Sequence, residues 1–341
     1  MTQASEASPL QARVGHWYQM DDTYVVGREK LREYARAVQD YHPAHWDVAA
    51  AAKLGYSDLI APATFTSTPG MTCNRRMFEQ VVVGYDTYMQ TEEVFEQHRP
   101  IEAGDELRVD VELTSVRRIA GRDLITVTNT FTDTAGERVH TLHTTVVGLT
   151  AEDVDPAIKT AVQHKMMHDV DIFGVGEEDY TKTTRPDGEV RVAEAGSTRT
   201  PGTPSFDDVK VGDELPVRHT RLSRGDLVNY SGVAGDANPI HWDEDIAKLA
   251  GLPDVIAHGM LTMGLGAGFV SAWSGDPGAI TRYAVRLSAP AIVSADAGCD
   301  IEFSGRIKSL DPETRSGVVL VAAKSDGKKI FGLATVNIRF S

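Results

Sequence analysis

Asp236, Asn238 and His241 lie within six residues of one another in the stretch GDANPIHW, residues 235–242. Pro239 lacks a backbone N–H and is incompatible with a helix interior, so the three side chains belong to a turn. An imidazole can accept a proton near neutral pH, and a carboxyl group can donate or accept one when burial adjusts its pKa. The amide of Asn238 can hold a hydroxyl group or a water molecule, or it can close an Asx turn before the proline. The spacing predicts proton transfer, with Asp236 and His241 as the catalytic pair.

A hydrogen-bond donor for a negatively charged oxygen is predicted a short distance along the chain. The apolar stretch at 256–273, IAHGMLTMGLGAGFVSAW, predicts a buried helix that begins after His258 and Gly259. The N–H of Gly259 would then have no acceptor within the helix and would be aligned with the helix dipole. Such a group can bind an oxyanion, and glycine allows a ligand to approach closely. Together with an acid and a base, it suits the removal or addition of water beside a thioester carbonyl. We expect a structural role for His258.

The elements that position these residues occur twice in the chain. Residues 34–66 align without a gap with residues 230–262 at a constant offset of 196, and 12 of the 33 aligned positions are identical. Asp40 and His45 of the first copy correspond to Asp236 and His241. Two copies are too few for a solenoid, so the repeat predicts a duplicated domain. We expect the halves to pack as a pseudo-two-fold pair that mimics a homodimer within one chain.

Each copy is followed by segments that alternate apolar and polar residues between turn signals, including 105–116 and 123–132 in the first half and 298–310 and 318–325 in the second. A helical segment followed by several antiparallel strands predicts an α+β fold in each half.

The predicted organisation is therefore a first domain at 1–150, a linker at 151–202 and a second domain at 203–341. The linker is rich in Pro, Gly, Ser and Thr towards its end. Its segment at 155–173 suits a helix that packs on one of the domains.

Composition excludes several classes of protein. The net charge of −15 argues against a nucleic-acid partner, because phosphate binding requires clustered Lys and Arg. No apolar run is long enough to predict a membrane span, and the N-terminal stretch has no signal-peptide pattern. The two cysteines, Cys73 and Cys299, form no disulfide or CxxC framework. We expect a cytoplasmic protein.

The pattern D-x-N-P-x-H followed by A-H-G resembles the signature of MaoC-like (R)-specific enoyl hydratases and dehydratases, which have the hot-dog fold. In the second half, VGDELP, GDPGAITRYAVR and GKKIFGLA resemble the catalytic HadB subunit of the mycobacterial-type (3R)-hydroxyacyl-ACP dehydratase. In the first half, REKLREYARAVQ and RPIEAGDELRVDVELTSVR resemble its HadA partner. The resemblance implies a fused HadA–HadB chain with a double hot-dog fold, in which a long central helix of each domain is wrapped by an antiparallel sheet.

The resemblance also implies a function. It points to a (3R)-hydroxyacyl-ACP dehydratase that reversibly eliminates water, with syn geometry, to give trans-2-enoyl thioesters in type II fatty-acid elongation of mycolic-acid precursors. Asp236 and His241 would be the catalytic dyad, Asn238 would hold the hydroxyl or water, and Gly259 would donate to the oxyanion. We assign His241 as the base at the α-carbon and Asp236 as the acid, although the two proton roles can be exchanged.

Other functions stay open. One alternative is an (R)-specific enoyl-CoA hydratase that acts on CoA thioesters, and another is a non-catalytic acyl-thioester-binding protein. The expected partners are an acyl thioester and acyl carrier protein, with no cofactor and no metal, and a homodimer of the fused chain is an open alternative.

The first half departs from the family pattern at three places. His42 replaces the asparagine, and Pro62 and Ala63 replace the histidine and glycine. We therefore expect no competent oxyanion site there, although the retained Asp40 and His45 leave a second active site as an alternative. Pro69 predicts a break in the first central helix, which would leave room for an acyl chain and give this half a substrate-channel role.

Overall fold

The computed structural model describes residues 8–150, 152–153, 156–166, 185, 188, 190–193 and 204–341. The helices are α1 (Arg28–Ala37), α2 (Val48–Lys53), α3 (Ser67–Arg76), α4 (Pro156–Lys165), α5 (Arg224–Ala234), α6 (Glu244–Leu249) and α7 (Gly259–Ser274). The strands are β1 (Trp17–Gln19), β2 (Tyr24–Val25), β3 (Thr87–Gln97), β4 (Glu106–Ile119), β5 (Arg122–Thr132), β6 (Glu137–Leu149), β7 (Arg191–Val192), β8 (Glu214–Leu222), β9 (Ile280–Leu287), β10 (Cys299–Asp311), β11 (Ser316–Ser325), β12 (Lys328–Lys329) and β13 (Phe331–Arg339).

The main strands form one continuous sheet in the order β1-β4-β5-β6-β3-β9-β13-β11-β10-β8, with antiparallel neighbours throughout. The order is symmetric about the centre of the sheet. The strands β1, β4, β5, β6 and β3 of the first half correspond to β8, β10, β11, β13 and β9 of the second half. α3 packs on β4 and β5, and α7 packs on β8, β9 and β10. The predicted α+β double hot-dog architecture is confirmed.

Two contacts place the pseudo-two-fold axis at the centre of the molecule. The halves are joined through β3 and β9, where Val94 pairs with Ala284. Tyr34 and Tyr230, which are equivalent in the sequence repeat, lie with their ring centroids 6.4 Å apart, and both are buried. A residue can contact its own counterpart only close to a two-fold axis, so the predicted pairing of the halves is confirmed.

Small residues let α7 pack closely on both of its sides. A Cβ atom on Gly266 would lie 2.5 Å from the hydroxyl oxygen of Tyr283 in the sheet. A Cβ atom on Gly268 would lie 3.3 Å from the carboxyl carbon of Asp40 in the other half. The glycines of α7 thus serve close packing against the sheet and against the first half. Among the described residues, no helix combines the length and the apolar character needed to cross a membrane.

The prediction of a helix break at Pro69 is wrong. α3 begins at Ser67, so Pro69 lies in its first turn, where the helix does not require a backbone N–H. The equivalent helix α7 begins at Gly259, whose counterpart at the repeat offset is Ala63. The proline therefore coincides with a later helix start and not with an interruption. α7 runs without a break to Ser274, close to the predicted end at 273.

The predicted linker at 151–202 lies largely outside the described residues. Its predicted helix is confirmed as α4 over 156–165, and the rest of that segment falls mostly among the residues not described. The ammonium group of Lys165 lies 2.7 Å from the carboxylate of Asp243, next to the start of α6. α4 therefore packs on the second half, as an ion pair and a helix contact both indicate.

Candidate active site

The loop that carries the predicted dyad is shaped by local hydrogen bonds. Gly235 ends α5 in the left-handed conformation, with a φ of 79°, which glycine adopts at little cost. The side-chain oxygen of Asn238 accepts a hydrogen bond from the backbone N–H of Ile240 at 3.3 Å and caps the short 3₁₀ helix Pro239–His241. The Asx turn, one of the two roles that the sequence predicted for Asn238, is therefore present. The side-chain nitrogen of Asn238 has no hydrogen-bond partner among the described residues.

Asp236 and His241 are brought together as the spacing predicted. The Nε2 atom of His241 lies 3.9 Å from Oδ2 of Asp236. The Nδ1 atom of His241 lies 2.8 Å from the carbonyl oxygen of Ile256, which can only accept a hydrogen bond. Nδ1 therefore carries the hydrogen of the neutral ring, and the lone pair is on Nε2, facing the carboxyl group. Burial lowers the pKa of His241 and thereby favours the neutral ring. The carboxylate of Asp236 acts in the opposite direction but does not outweigh burial.

The two members of the dyad differ in exposure. The side chain of Asp236 is 22% exposed, whereas that of His241 is 8% exposed. A substrate can therefore reach the pair from the side of the carboxyl group, while the imidazole is held within the protein.

His258 packs against the loop that carries the predicted dyad. Its ring stacks on that of His241, with the centroids 3.7 Å apart. Its Nε2 atom lies 3.1 Å from the hydroxyl oxygen of Ser231 and 3.3 Å from the carbonyl oxygen of Asp236. Burial, followed by the neighbouring His241, lowers the pKa of His258 to about 2, so this ring is neutral. His258 thus ties together α5, the loop and the start of α7.

Asp236, His241 and His258 each offer a possible metal-ligating atom, and these atoms lie within 4.8 Å of one another. The lone pairs of an imidazole lie in the plane of its ring. The rings of His241 and His258 are stacked at an interplanar angle of 26°, so they cannot both direct lone pairs to one ion. The geometry does not suit a metal, and the absence of a metal requirement stays a prediction.

Gly259 is the first residue of α7, so its N–H has no acceptor within the helix. A Cβ atom at this position would lie 2.7 Å from Cδ1 of Leu287 and 3.0 Å from Oε1 of Gln90. Glycine leaves room for the ends of both side chains, which would have to move if a Cβ atom were added. Gln90 belongs to β3, so the first half contributes to the wall of the site in the second half.

Sequence reasoning missed Gln90 and its neighbour Glu93. Both lie in the β3 segment TYMQTEEVFEQ, where polar residues follow one another and the alternation typical of a half-buried strand is lost. Glu93 is nevertheless only 1% exposed. Because its burial depends on segments far along the chain that pack around β3, no local signal in the sequence indicates it.

The dyad retained in the first half is buried. Nε2 of His45 lies 3.3 Å from Oδ2 of Asp40, and these side chains are 0% and 4% exposed. The same carboxylate oxygen accepts a hydrogen bond from the hydroxyl of Ser271 at 3.2 Å, and Nε2 of His42 lies 3.0 Å from the carbonyl oxygen of Gly275. The C-terminal part of α7 therefore covers this dyad. Ala63, at the position equivalent to Gly259, lies in a turn before α3 and not at a helix start.

We expect Ser271→Ala to lower the free energy of unfolding by about 1–3 kcal/mol, because it leaves a buried carboxylate without one of its hydrogen-bond donors. The rate constants of the enzyme should change by less than about twofold, since Ser271 does not contact the open dyad. Chemical denaturation of the single variants and of the double variant with Asp40→Asn gives the coupling energy. A coupling energy of zero would show that the bond between the halves contributes nothing.

Comparison with known proteins assigns the chain to a family. Residues 12–142 match the model of the FAS1-like dehydratase domain region, and residues 207–325 match that of the MaoC-like domain. A solved structure of a MaoC-like dehydratase is 78% identical to this chain, covers 97% of it and 100% of its own length, and superposes with a TM-score of 0.93. The chain belongs to the MaoC-like dehydratase family. Membership supports a dehydratase or hydratase activity in general terms.

Other relatives of the chain match one half of it or only its fold. A UPF0336 protein of Saccharopolyspora erythraea is 40% identical over 146 residues, which are 42% of this chain and 94% of the relative. A conserved hypothetical protein of Mycobacterium tuberculosis, described as a double hot-dog fold, is 15% identical, covers 96% of this chain and of its own length, and has a TM-score of 0.61. The second likeness supports the architecture alone.

Proposed function

We propose that this MaoC-like dehydratase is a (3R)-hydroxyacyl-thioester dehydratase whose catalytic residues are Asp236, His241, Asn238 and Gly259. The observation that carries the proposal is the Asp236–His241 pair, in which the carboxyl group is partly exposed and the imidazole lone pair on Nε2 faces it. The N–H of Gly259 at the start of α7 directly follows His258, whose ring contacts the His241 ring and the carbonyl oxygen of Asp236. These groups supply an acid, a base and an oxyanion donor.

In the dehydration direction, Nε2 of His241 takes the proton from the α-carbon of the thioester. Negative charge develops on the thioester oxygen, which the N–H of Gly259 stabilises. The bond between the β-carbon and its hydroxyl group then breaks, and a proton from Asp236 completes the departing water. Return of the proton from His241 to Asp236 restores the pair. The side-chain nitrogen of Asn238 is free to hold the hydroxyl or water. Hydration follows the same steps in reverse.

The proposal also assigns a role to each part of the chain and names the carrier of the acyl group. We infer that residues 203–341 carry out catalysis, that residues 1–150 border the acyl chain, and that residues 151–202 link the two domains. Acyl carrier protein in the cytoplasm is the proposed carrier, with fatty-acid elongation as the setting. The basis is the resemblance of both halves to the subunits of such a dehydratase, and CoA thioesters are the alternative substrate.

The test is hydration of trans-2-enoyl thioesters by the purified chain, followed through the loss of absorbance of the conjugated thioester. Short and long acyl chains are compared on CoA and on acyl carrier protein. Faster turnover of long chains on the carrier protein would support the proposal. A preference for short CoA substrates would favour the enoyl-CoA hydratase, and binding without turnover of any substrate would identify a non-catalytic acyl-binding protein.

A further inference from the structure

Glu93 is a buried carboxyl group that the proposed chemistry does not use. It lies on β3 with 1% of its surface exposed. Its Oε1 atom lies 2.7 Å from the hydroxyl oxygen of Thr144, and its Oε2 atom lies 2.6 Å from the side-chain nitrogen of Gln90. No salt bridge to Glu93 is present in the part of the chain that the structure describes. An acid in such a place is expected to be neutral, because nothing compensates a buried charge.

The elements around Glu93 supply no compensating charge. Glu93 pairs with Thr144 of β6 and with Val285 of β9, and α7 contains no ionisable residue. The ionisable side chains within four positions of these contacts are His140 and His143 on β6, Arg282, Tyr283 and Arg286 on β9, and Glu92 and Glu96 on β3.

These groups are engaged elsewhere or are neutral. Arg282 and His143 lie 3.4 Å and 3.8 Å from the carboxylate of Glu96, and Arg286 lies 3.6 Å from that of Glu92. Burial lowers the pKa of His140 to about 3 and raises that of Tyr283, so neither carries a charge near neutral pH. Burial raises the pKa of Glu93 to about 8, against the opposing effect of its two hydrogen bonds.

Gln90 connects this acid to the start of α7. Its side-chain nitrogen lies 2.6 Å from Glu93 and 3.1 Å from the sulfur of Met260. Its side-chain oxygen lies 3.0 Å from the position that a Cβ atom on Gly259 would occupy. A carboxyl group of the first half is therefore separated from the proposed oxyanion donor by a single amide group.

We propose that Glu93 and Gln90 are positioning residues through which the first half holds the oxyanion end of the active site in the second half and keeps it free of negative charge. The proposal rests on the proposed function, because it takes Gly259 as the oxyanion donor. A carboxylate at Glu93 would repel the negative charge that develops on the thioester oxygen. Across one intervening amide group in a partly buried site, this repulsion corresponds to about a tenfold loss of rate.

The test compares the wild-type chain with Glu93→Gln, which keeps the shape and the hydrogen-bonding capacity of the side chain but cannot ionise. We measure kcat/KM for hydration of a trans-2-enoyl thioester at about pH 6.5 and about pH 9.5, well on either side of the Glu93 pKa. The ratio of wild type to variant should be close to one at the lower pH and should fall about tenfold at the higher pH. Titration of the catalytic dyad affects both proteins and cancels in the ratio.

Glu96→Gln is the matched control on the same strand. Glu96 is half-exposed, and its hydrogen bond to His143, assisted by Arg282, lowers its pKa to about 2, so it is already ionised at both pH values. Its variant should leave the ratio independent of pH. Gln90→Ala should lower kcat more than it raises KM, because the contact acts on the transition state.

Thermal unfolding separates the outcomes. A folded-state pKa raised from 4.5 to about 8 gives stability that is present at acid pH and is lost as the pH rises through about 8. The Tm of wild type should therefore fall relative to that of Glu93→Gln between about pH 5 and about pH 9.

An active wild type whose ratio to Glu93→Gln does not change with pH would overturn the positioning role. A Tm difference that does not change with pH would overturn the neutral state of Glu93. Absence of turnover by wild type at every pH would instead count against the proposed function, while the unfolding result would still report on Glu93.

Discussion

Replacement of Asp236 by asparagine is expected to lower kcat by about 10²–10⁴, because an amide cannot transfer the proton that the departing hydroxyl group needs. The fold should be retained, since Oδ1 of Asp236 accepts a 3.3 Å hydrogen bond from the N–H of Asn238, which the asparagine oxygen can also accept. Steady-state hydration of an enoyl thioester, together with a thermal unfolding curve for each protein, measures both effects.

Asp40→Asn is the matched control for this prediction. Asp40 occupies the equivalent position of the repeat, beside His45, but α7 covers it. We expect kcat to stay within about twofold of wild type and the Tm to fall, because the change weakens a buried charge-assisted contact with Ser271. Equal losses of kcat from the two variants would contradict the assignment of a single active site to the second half.

Replacement of Gly259 by alanine keeps the backbone N–H but adds a methyl group beside it, and kcat should fall by up to about 10²–10³, the effect expected if the thioester oxygen can no longer reach this donor. The new Cβ atom would lie 2.7 Å from Cδ1 of Leu287 and 3.0 Å from Oε1 of Gln90. Both neighbours are the ends of flexible side chains and can rotate away, so the chain should still fold. The methyl group would then restrict the approach of the thioester oxygen to the backbone N–H.

Gly232→Ala provides the control for the glycine. Gly232 lies within α5, and a Cβ atom there would have no atom of the surroundings within 4 Å. Alanine is favoured over glycine in a helix, so this variant should be as stable as wild type or more stable, with unchanged kcat. If Gly259→Ala also kept its full kcat, the prediction that a side chain at this position keeps the thioester oxygen from the N–H would be wrong.

The sequence alone predicted the symmetry of this protein, which the structure confirms, and the residues of the proposed chemistry, which stay a prediction. The pattern around Asp236 and His241 requires few residues, all close along the chain, so local rules for turns and helix starts locate them. The repeat at an offset of 196 predicted the pairing of the halves, which the contact between Tyr34 and Tyr230 confirms. Alternation of apolar and polar residues predicted the β4, β5, β10 and β11 segments.

Local patterns also have limits in this chain. Pro69 reads as a helix breaker when α3 is assumed to start where α7 does, but a proline is tolerated once the helix starts two residues before it. The β3 segment lacks alternation because Glu93, Val94 and Phe95 are buried in succession, so both faces of the strand are covered where β9 joins the other half. A helix start and a strand at the pseudo-two-fold axis depend on packing between segments far apart in the chain.

Only the tertiary structure decided which of the two similar dyads is open. Asp40 and His45 have the same spacing as Asp236 and His241, and the changes at positions 42, 62 and 63 predicted the loss of an oxyanion site in the first half but not the burial of its dyad. The difference comes from α7, whose Ser271 covers Asp40. The tertiary structure likewise buried Glu93 near the start of α7, since burial of a side chain depends on the elements that pack around it and not on its neighbours in sequence.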